Sequence, residues 1–322
     1  MKRFVSIFAV TAACAVASAI PALSQNYPNQ QIRFVTGFPP GSGADLFTRF
    51  MAERMKEVSS ASIVVENRAG ATGSIALENV ARAKPDGYTV LVTAGSATAA
   101  ANHIYKERRV NVLDAFRIAA TITQFGFLIA VDPKSPHKTL QDLTAHLKQK
   151  GDKANYGVSA TSGIALAEMY NAFAELRTTR ITYRGSPEAL NELYGGNLDF
   201  LSIDPGFALP QANQGKLRIL AVSTAKRIAS MPDVPTMEEG GVKGINIPVW
   251  WALILPKQTP DAVINMLNGW ANAALEKPES KKFFQDAGGE VFISKPADAD
   301  AMFIRDEKSW EEYLRIAKIE KQ

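Results

Sequence analysis

From Ile32 onward, short apolar runs alternate with stretches of helical period, and this alternation constrains the fold more than any other feature. Ile32-Arg33-Phe34-Val35-Thr36 predicts a buried strand. Leu46, Phe47, Phe50, Met51 and Met55 then recur at helical spacing within residues 44–58. Residues 63–66 predict a second strand, 74–83 a second helix ended by the turn Pro85-Asp86-Gly87, and 88–93 a third strand. The pattern restarts at 127–131, a strand that ends at Asp132-Pro133. Helices are expected at 139–150 with Thr139 as N-cap, at 164–174, and at 187–194 closed by Gly195-Gly196. Strands at 155–159, 180–183, 199–203 and 217–223 complete this unit. A further apolar strand covers 250–255, and helices follow at 260–275, 279–287 and 296–318. Alternating strands and helices predict parallel α/β sheets, and the restart predicts two such units with a cleft between them. One domain is expected from 25–124 together with 227–322, and a second from 125–226.

The first 24 residues read as a secretory signal peptide. Lys2 and Arg3 precede an uncharged apolar stretch over 4–20, then Pro21 and the small-residue site Ala22-Leu23-Ser24. Cleavage is expected after Ser24, with Ala19 as the other position, which places the mature chain in the periplasm. A membrane anchor fits less well, because the apolar run is short and rich in alanine. The single cysteine, Cys14, lies inside this segment. Acylation there is disfavoured by Thr11 at the position three before it. The mature chain then has no disulfide, no thiol nucleophile and no thiolate metal site, which suits an oxidising compartment. Net charge is +4 from 36 basic and 32 acidic residues, and falls to +2 without Lys2 and Arg3. The basic residues are scattered. The densest spots, Arg108-Arg109 and Lys281-Lys282, carry no interleaved aromatics, which argues against a nucleic-acid partner.

Ligands of open α/β sheets sit at the carboxyl ends of the strands, so the loops leaving those ends hold the candidate site. The first, residues 37–45, contains Phe38, Gly41, Ser42 and Gly43 and runs from the first strand into a helix. Its glycines let backbone amides approach an anion at a helix N-terminus. Asp45, in the first turn of that helix, suits a local cap better than a ligand contact. No Gly-Lys-Ser/Thr follows, so the loop is not a phosphate-binding Walker motif. The second, residues 159–163, repeats this arrangement with Ala160, Thr161, Ser162 and Gly163; an ordinary helix cap is the plain alternative. A third, 94–98, offers Ser96. A fourth, 183–186, offers Arg184 as a bidentate partner for a second carboxylate, or as a surface ion-pairing residue. Asp204 ends a strand and is either a ligand contact, a cap or a hinge bond.

Catalytic constellations are thin. The histidines are His103, His137 and His146, and no pair has metal-ligand spacing. No Gly-x-Ser-x-Gly elbow occurs. Ser96 with His103 is the one conceivable nucleophile–base pair. Of Trp250 and Trp251, one is expected in the core and the other at the cleft. No cofactor is expected. A binding protein is the preferred class, with a hydrolase or lyase on the same scaffold as the alternative. An effector-sensing domain of a regulator is disfavoured by the export signal and by the lack of a helix-turn-helix region.

The motifs taken together resemble the receptors of tripartite tricarboxylate transporters, also called Bug receptors. The likeness begins with Tyr27-Pro28 and Phe38-Pro39-Pro40-Gly41-Ser42-Gly43-Ala44-Asp45. It continues through Val64-Val65-Glu66-Asn67-Arg68-Ala69-Gly70-Ala71-Thr72-Gly73, Pro85-Asp86-Gly87-Tyr88, Tyr183-Arg184-Gly185 and Gly195-Gly196-Asn197-Leu198-Asp199. Met231-Pro232-Asp233-Val234-Pro235-Thr236 extends it towards the C-terminus. The resemblance implies a type II periplasmic-binding-protein (Venus flytrap) fold, two α/β domains closing on one ligand. It implies a small organic acid ligand whose carboxylate is held through backbone groups and ordered water. Carried onto this chain, Phe38, Gly41 to Gly43 and Ala160 to Gly163 face that ligand. From the residues themselves, Arg184 points to a dicarboxylate, while Phe38, Phe125, Trp250 and Trp251 suit an aromatic acid by stacking. The sequence does not decide between mono- and dicarboxylate. Ser42 stands where the family commonly has glycine. The implied partners are the permease subunits of a tripartite tricarboxylate-type transporter, or a sensor, with the receptor acting as a monomer.

Overall fold

The computed structural model describes residues 27–104 and 110–316. The expected signal segment with Cys14, the pair Arg108-Arg109 and the final residues of the helix expected to 318 lie outside the described residues.

The first sheet collects strands from both ends of the chain. β1 (Ile32–Thr36), β2 (Ile63–Asn67) and β3 (Thr89–Ala94) alternate with α1 (Gly43–Ser59), α2 (Ser74–Ala81) and α3 (Gly95–Ile104). A four-residue helix, α4 (Val112–Ala115), leads into β4 (Phe116–Gly126). β10 (Pro248–Pro256) and β11 (Gly289–Val291) return from the far end, in the order β11-β4-β10-β3-β1-β2. α9 (Asp261–Leu275), α10 (Pro278–Asp286) and α11 (Pro296–Ile316) complete this domain. The second sheet has the order β7-β6-β8-β5-β9. It is built from β5 (Leu128–Val131), β6 (Asn155–Val158), β7 (Thr179–Thr182), β8 (Phe200–Ile203) and β9 (Arg218–Val222). Its helices are α5 (Leu140–Lys150), α6 (Thr161–Phe173), α7 (Ser186–Tyr194) and α8 (Pro205–Asn213).

The sheets are mixed, which corrects the expectation of parallel sheets. β1 pairs in parallel with β2 and β3, and β6 with β7 and β8. β10 runs antiparallel to β3 and β4, and β5 antiparallel to β8 and β9. β11 also runs antiparallel to its neighbour β4, while β5 and β10 adjoin the two places where the chain crosses between domains. β4 hands the chain to β5 through Gly126 and Phe127, and the chain returns between β9 and β10. Every residue of β3 is buried, and eight of the nine in β10, which explains their near-continuous apolar sequence. Phe34, Phe47, Met51 and Met55 fill the space between β1 and α1 in the first domain, while Tyr156, Tyr170 and Phe200 pack in the second.

Local chemistry sets the helix ends. Thr139 and Asp142 form a reciprocal capping box at α5. Gly196, at φ +75°, ends α7 in the left-handed conformation that glycine adopts without a Cβ penalty.

The chain crosses between the domains twice, and Ser223 ties the two crossings together. Its Oγ accepts from Phe127 N at 3.0 Å and donates to Ile247 O at 2.8 Å. Its backbone N–H donates to Phe127 O at 2.9 Å, and Ile247 N donates to Ser223 O at 2.8 Å. Ser223 is fully buried, so each of these groups depends on the others for its partner.

Candidate functional site

The two domains meet around a cavity that is partly open to solvent. Its walls come from the carboxyl ends of parallel strands. The β1–α1 loop supplies Phe38, Ser42 and Ala44, and the end of β3 with the start of α3 supplies Thr93, Ala94 and Ala97. From the second domain come Ser159, Ala160 and Ser162, then Ser186 and Asp204. Phe125 and Phe127 line it at the crossing between domains, and Trp251 at the back. Trp250 faces the other side of β10, where its Nε1 donates to Asp306 at 2.9 Å.

The start of α1 already carries its own negative charge. Gly41 takes φ +81°, and its N–H donates to Asp45 Oδ2 at 2.9 Å. Asp45 Oδ1 accepts from Asn67 and from Arg49, each at 2.9 Å. Burial pushes the Asp45 carboxyl up, but the hydrogen bonds from Arg49, Gly41 and Asn67 outweigh it and hold the group below its ordinary range. Ser42 is the N-cap: its Oγ accepts from Asp45 N and donates to Pro39 O at 2.8 Å. The hydroxyl proton of Ser42 is therefore committed to the loop.

The start of α6 is different. Ala160 occupies the N-cap and supplies no side-chain acceptor, and the first turn contains no acid. Any helix start leaves amides without intrahelical partners, at the positive end of the dipole. Ser162 sits among them at 1% exposure, and its Oγ has no hydrogen-bond partner. An unpaired buried hydroxyl beside unpaired amides, at the wall of a cavity, is a donor set built for an anion. The two loops that look alike in sequence are thus electrostatically unlike.

A hydroxyl chain runs along the second-domain wall. Ser159 Oγ lies 3.3 Å from Ser186 Oγ, which donates to Asp204 Oδ2 at 3.0 Å. Asp204 caps α8 by accepting from Phe207 N at 2.9 Å. Burial raises its carboxyl above the ordinary value, against the hydrogen bonds from Phe207 and Ser186. Across the cleft it rests on Gly43, where an added Cβ would lie 2.0 Å from Asp204 Oδ1. Only glycine at 43 permits that approach.

Phe38, Ser42, Ala160, Ser162 and Asp204 therefore line one cavity, the first two from the first domain and the other three from the second. Gly41 and Gly43 shape the first loop without lining the cavity, and Gly163 packs beneath it against Ser202 O and Phe127. Thr161 lines an adjoining recess. Ser96 is fully buried behind the cavity, with its Oγ also unpartnered. Arg184 is not brought to the others: it is exposed, and its backbone N–H donates to Glu188. Thr72, Thr93, Phe127 and Ser186 line the cavity without having been singled out from sequence. Ser186, adjoining the Arg184-Gly185 motif, carried the clearest local signal. Ser96 and His103 lie seven residues apart on α3, about 10 Å along its axis, too far for a nucleophile–base bond. Among the described residues no group of acidic, histidine or cysteine side chains is placed to hold a metal ion.

The profile of the tripartite tricarboxylate transporter family receptors matches residues 47–319. The chain belongs to that family. A UPF0065 protein of Bordetella bronchiseptica is 33% identical over 310 residues, covering 94% of this chain and 91% of the relative. BugT of Bordetella pertussis is 28% identical over 310 residues, 95% of this chain and 94% of its own. Among solved structures, the periplasmic binding protein BugD superposes with a TM-score of 0.86 at 28% identity, over 92% of this chain and 100% of BugD. R. palustris Rpa4515, solved with adipate, gives a TM-score of 0.88 at 27% identity, over 92% of this chain and 100% of Rpa4515. This tripartite tricarboxylate receptor therefore has the periplasmic-binding-protein fold, and it is a solute-binding receptor rather than a hydrolase or lyase.

Proposed function

We propose that this receptor captures a small organic carboxylate between its two domains, with the carboxylate seated on the first turn of α6. The observation that carries this reading is the uncapped helix start with the buried, unpartnered Ser162 hydroxyl at the cavity wall. The adipate in the relative Rpa4515 supports a carboxylate ligand. Phe38, Ser42, Ala160 and Asp204 shape the chamber; Gly41, Gly43, Thr161 and Gly163 set the backbone of its two facing loops. Arg184 takes no part, because it is exposed and outside the cavity lining.

The ligand adds contacts from both walls, so it favours the closed arrangement of the domains. The moving bodies are 25–124 with 227–322, and 125–226, turning about Phe127 and Ser223. Export through a signal peptide cleaved after Ser24 delivers the receptor to the periplasm. There its closed form presents the acid to the membrane permease subunits of a tripartite tricarboxylate-type transporter. Binding of a matched acid at 100-fold above Kd stabilises the folded state by about 2.7 kcal/mol. That raises the melting temperature by roughly 5–10 °C for domains of this size. A broad panel of organic acids none of which shifts the melting curve would overturn the proposal.

A further inference from the structure

The second-domain wall of the chamber has two ends of opposite hydrogen-bonding character. At one end, the first turn of α6 offers donors: amides without intrahelical partners and the unpartnered Ser162 hydroxyl. At the other end, Asp204 offers acceptors. It is the only ionisable side chain among the described residues lining the chamber. Its oxygens accept from Phe207 N and Ser186 Oγ, which uses only part of a carboxylate's roughly four acceptor sites. Ser186 commits its one proton to Asp204, so in the Ser159–Ser186 pair the donor is Ser159. Both hydroxyl protons therefore run along the wall to Asp204, and what they leave for a ligand is oxygen lone pairs. Burial raises the Asp204 carboxyl, and only hydrogen bonds oppose it; no protein cation does.

The two ends are close. β6 and β8 are parallel neighbours, so the loops that leave them start roughly 5 Å apart. Gly163, in the first turn of α6, packs against Ser202 O, just before Asp204. A plain carboxylate on α6 would bring a second negative charge beside Asp204 with nothing between them. A ligand with an ammonium on the carbon next to its carboxylate satisfies both ends. Its carboxylate takes the donors of α6, and its ammonium donates to Asp204 in a charge-assisted hydrogen bond.

We propose that Asp204 is the specificity-determining residue of this receptor, and that it selects, among carboxylates, the α-amino acids. This inference rests on the carboxylate reading of the α6 site. It fixes only the end of the ligand that lies on this wall. The ligand's side chain extends from there towards the starts of α2 and α3, where the Ser74 and Ser96 hydroxyls are unpartnered.

Matched acids test it. The standard L-amino acids, their 2-hydroxy counterparts and their desamino counterparts are screened by melting curves of the purified mature receptor. The best-bound side chain is then carried to isothermal titration in all three forms. The amino form should bind at least about tenfold more tightly than either of the others, which corresponds to about 1.4 kcal/mol. Asp204→Asn keeps the size of the side chain and an acceptor but removes the charge. It should abolish most of the preference while the desamino acid binds as well as before or better. The wild-type comparison stands without the variant, so a variant that fails to fold does not rescue the inference. A hydroxy or desamino acid that binds as tightly as its amino partner overturns it, as does a folded Asn variant that keeps the preference. If amino acids fail and other carboxylates bind, the inference falls and the carboxylate reading stands. If no acid of any kind binds, both fall.

Discussion

Replacing Ser162 with alanine separates ligand binding from folding. The Ser162 hydroxyl is buried at 1% exposure and has no partner in the protein. Its removal deletes no intramolecular hydrogen bond and relieves an unsatisfied polar atom. The ligand-free protein should therefore keep its stability or gain up to about 1 kcal/mol, a change of roughly 0–4 °C upward in melting temperature. The bound state behaves in the opposite way. A hydrogen bond to a charged group contributes about 1.5–3 kcal/mol, so the alanine variant should bind its acid about 10- to 150-fold more weakly. Calorimetric melting of the ligand-free protein and isothermal titration with the acid that best stabilises the wild type measure the two effects. A variant that melts several degrees lower yet binds with unchanged affinity would refute the reasoning, because it would make Ser162 a structural residue.

Three further predictions follow from other parts of the molecule. Gly43→Ala places a Cβ 2.0 Å from Asp204 Oδ1, an overpacking of about 1–3 kcal/mol. Ligand affinity should fall about 5- to 150-fold, and unchanged affinity in titration would show that the two domains do not meet there when liganded. Ser223→Ala strips Phe127 N and Ile247 O of the hydroxyl they share. It should cost about 1–3 kcal/mol in denaturant unfolding, and no loss would remove Ser223 from the hinge. Burial raises the Asp306 carboxyl from 3.8 to about 6, against the hydrogen bond from Trp250. The folded protein then holds this proton more tightly than the unfolded chain. The stabilisation is full below pH about 4 and is lost, by about 3 kcal/mol, as pH rises through about 6. Asp306→Asn should flatten that part of the stability–pH curve; an unaltered curve would refute the assignment.

Much of the fold was legible because local pattern and tertiary role agree. β1, β2 and β3 announce themselves as apolar runs, and α1, α5 and α7 as helices with identifiable ends. The misses have physical causes. α3 begins Gly95-Ser96 and continues with alanines, a composition that reads as a loop until packing against α11 fixes it as a helix. α8 contains Pro205 and Pro210, yet Pro205 occupies the first turn, where no N–H is needed. β4 was hidden by its mixture of alanines and threonines, although Thr121 and Thr123 are fully buried. Strand direction is not a local property, so the antiparallel β10 and β5 were beyond any periodicity argument.

The site divides in the same way. Both strand–loop–helix segments could be read from glycines and small residues. The sequence marks Asp45 as a local partner of its own loop, and it does accept from Gly41 N. What could not be read is that the Ser162 hydroxyl at the start of α6 is buried without a partner. Nor does the motif around Arg184 disclose that its side chain faces solvent. Trp250 and Trp251 alternate sides as a strand requires, but only the structure says which one borders the cavity.

The central claim is that one carboxylate is held between the two domains. Native mass spectrometry of the mature receptor, incubated with a mixture of organic acids, neutral analogues and amines, tests it most directly. The account predicts a single 1:1 adduct with the mass of an organic acid, lost on denaturation and strongly reduced in the Ser162→Ala variant. Retention of a neutral compound or an amine in place of every acid would contradict it.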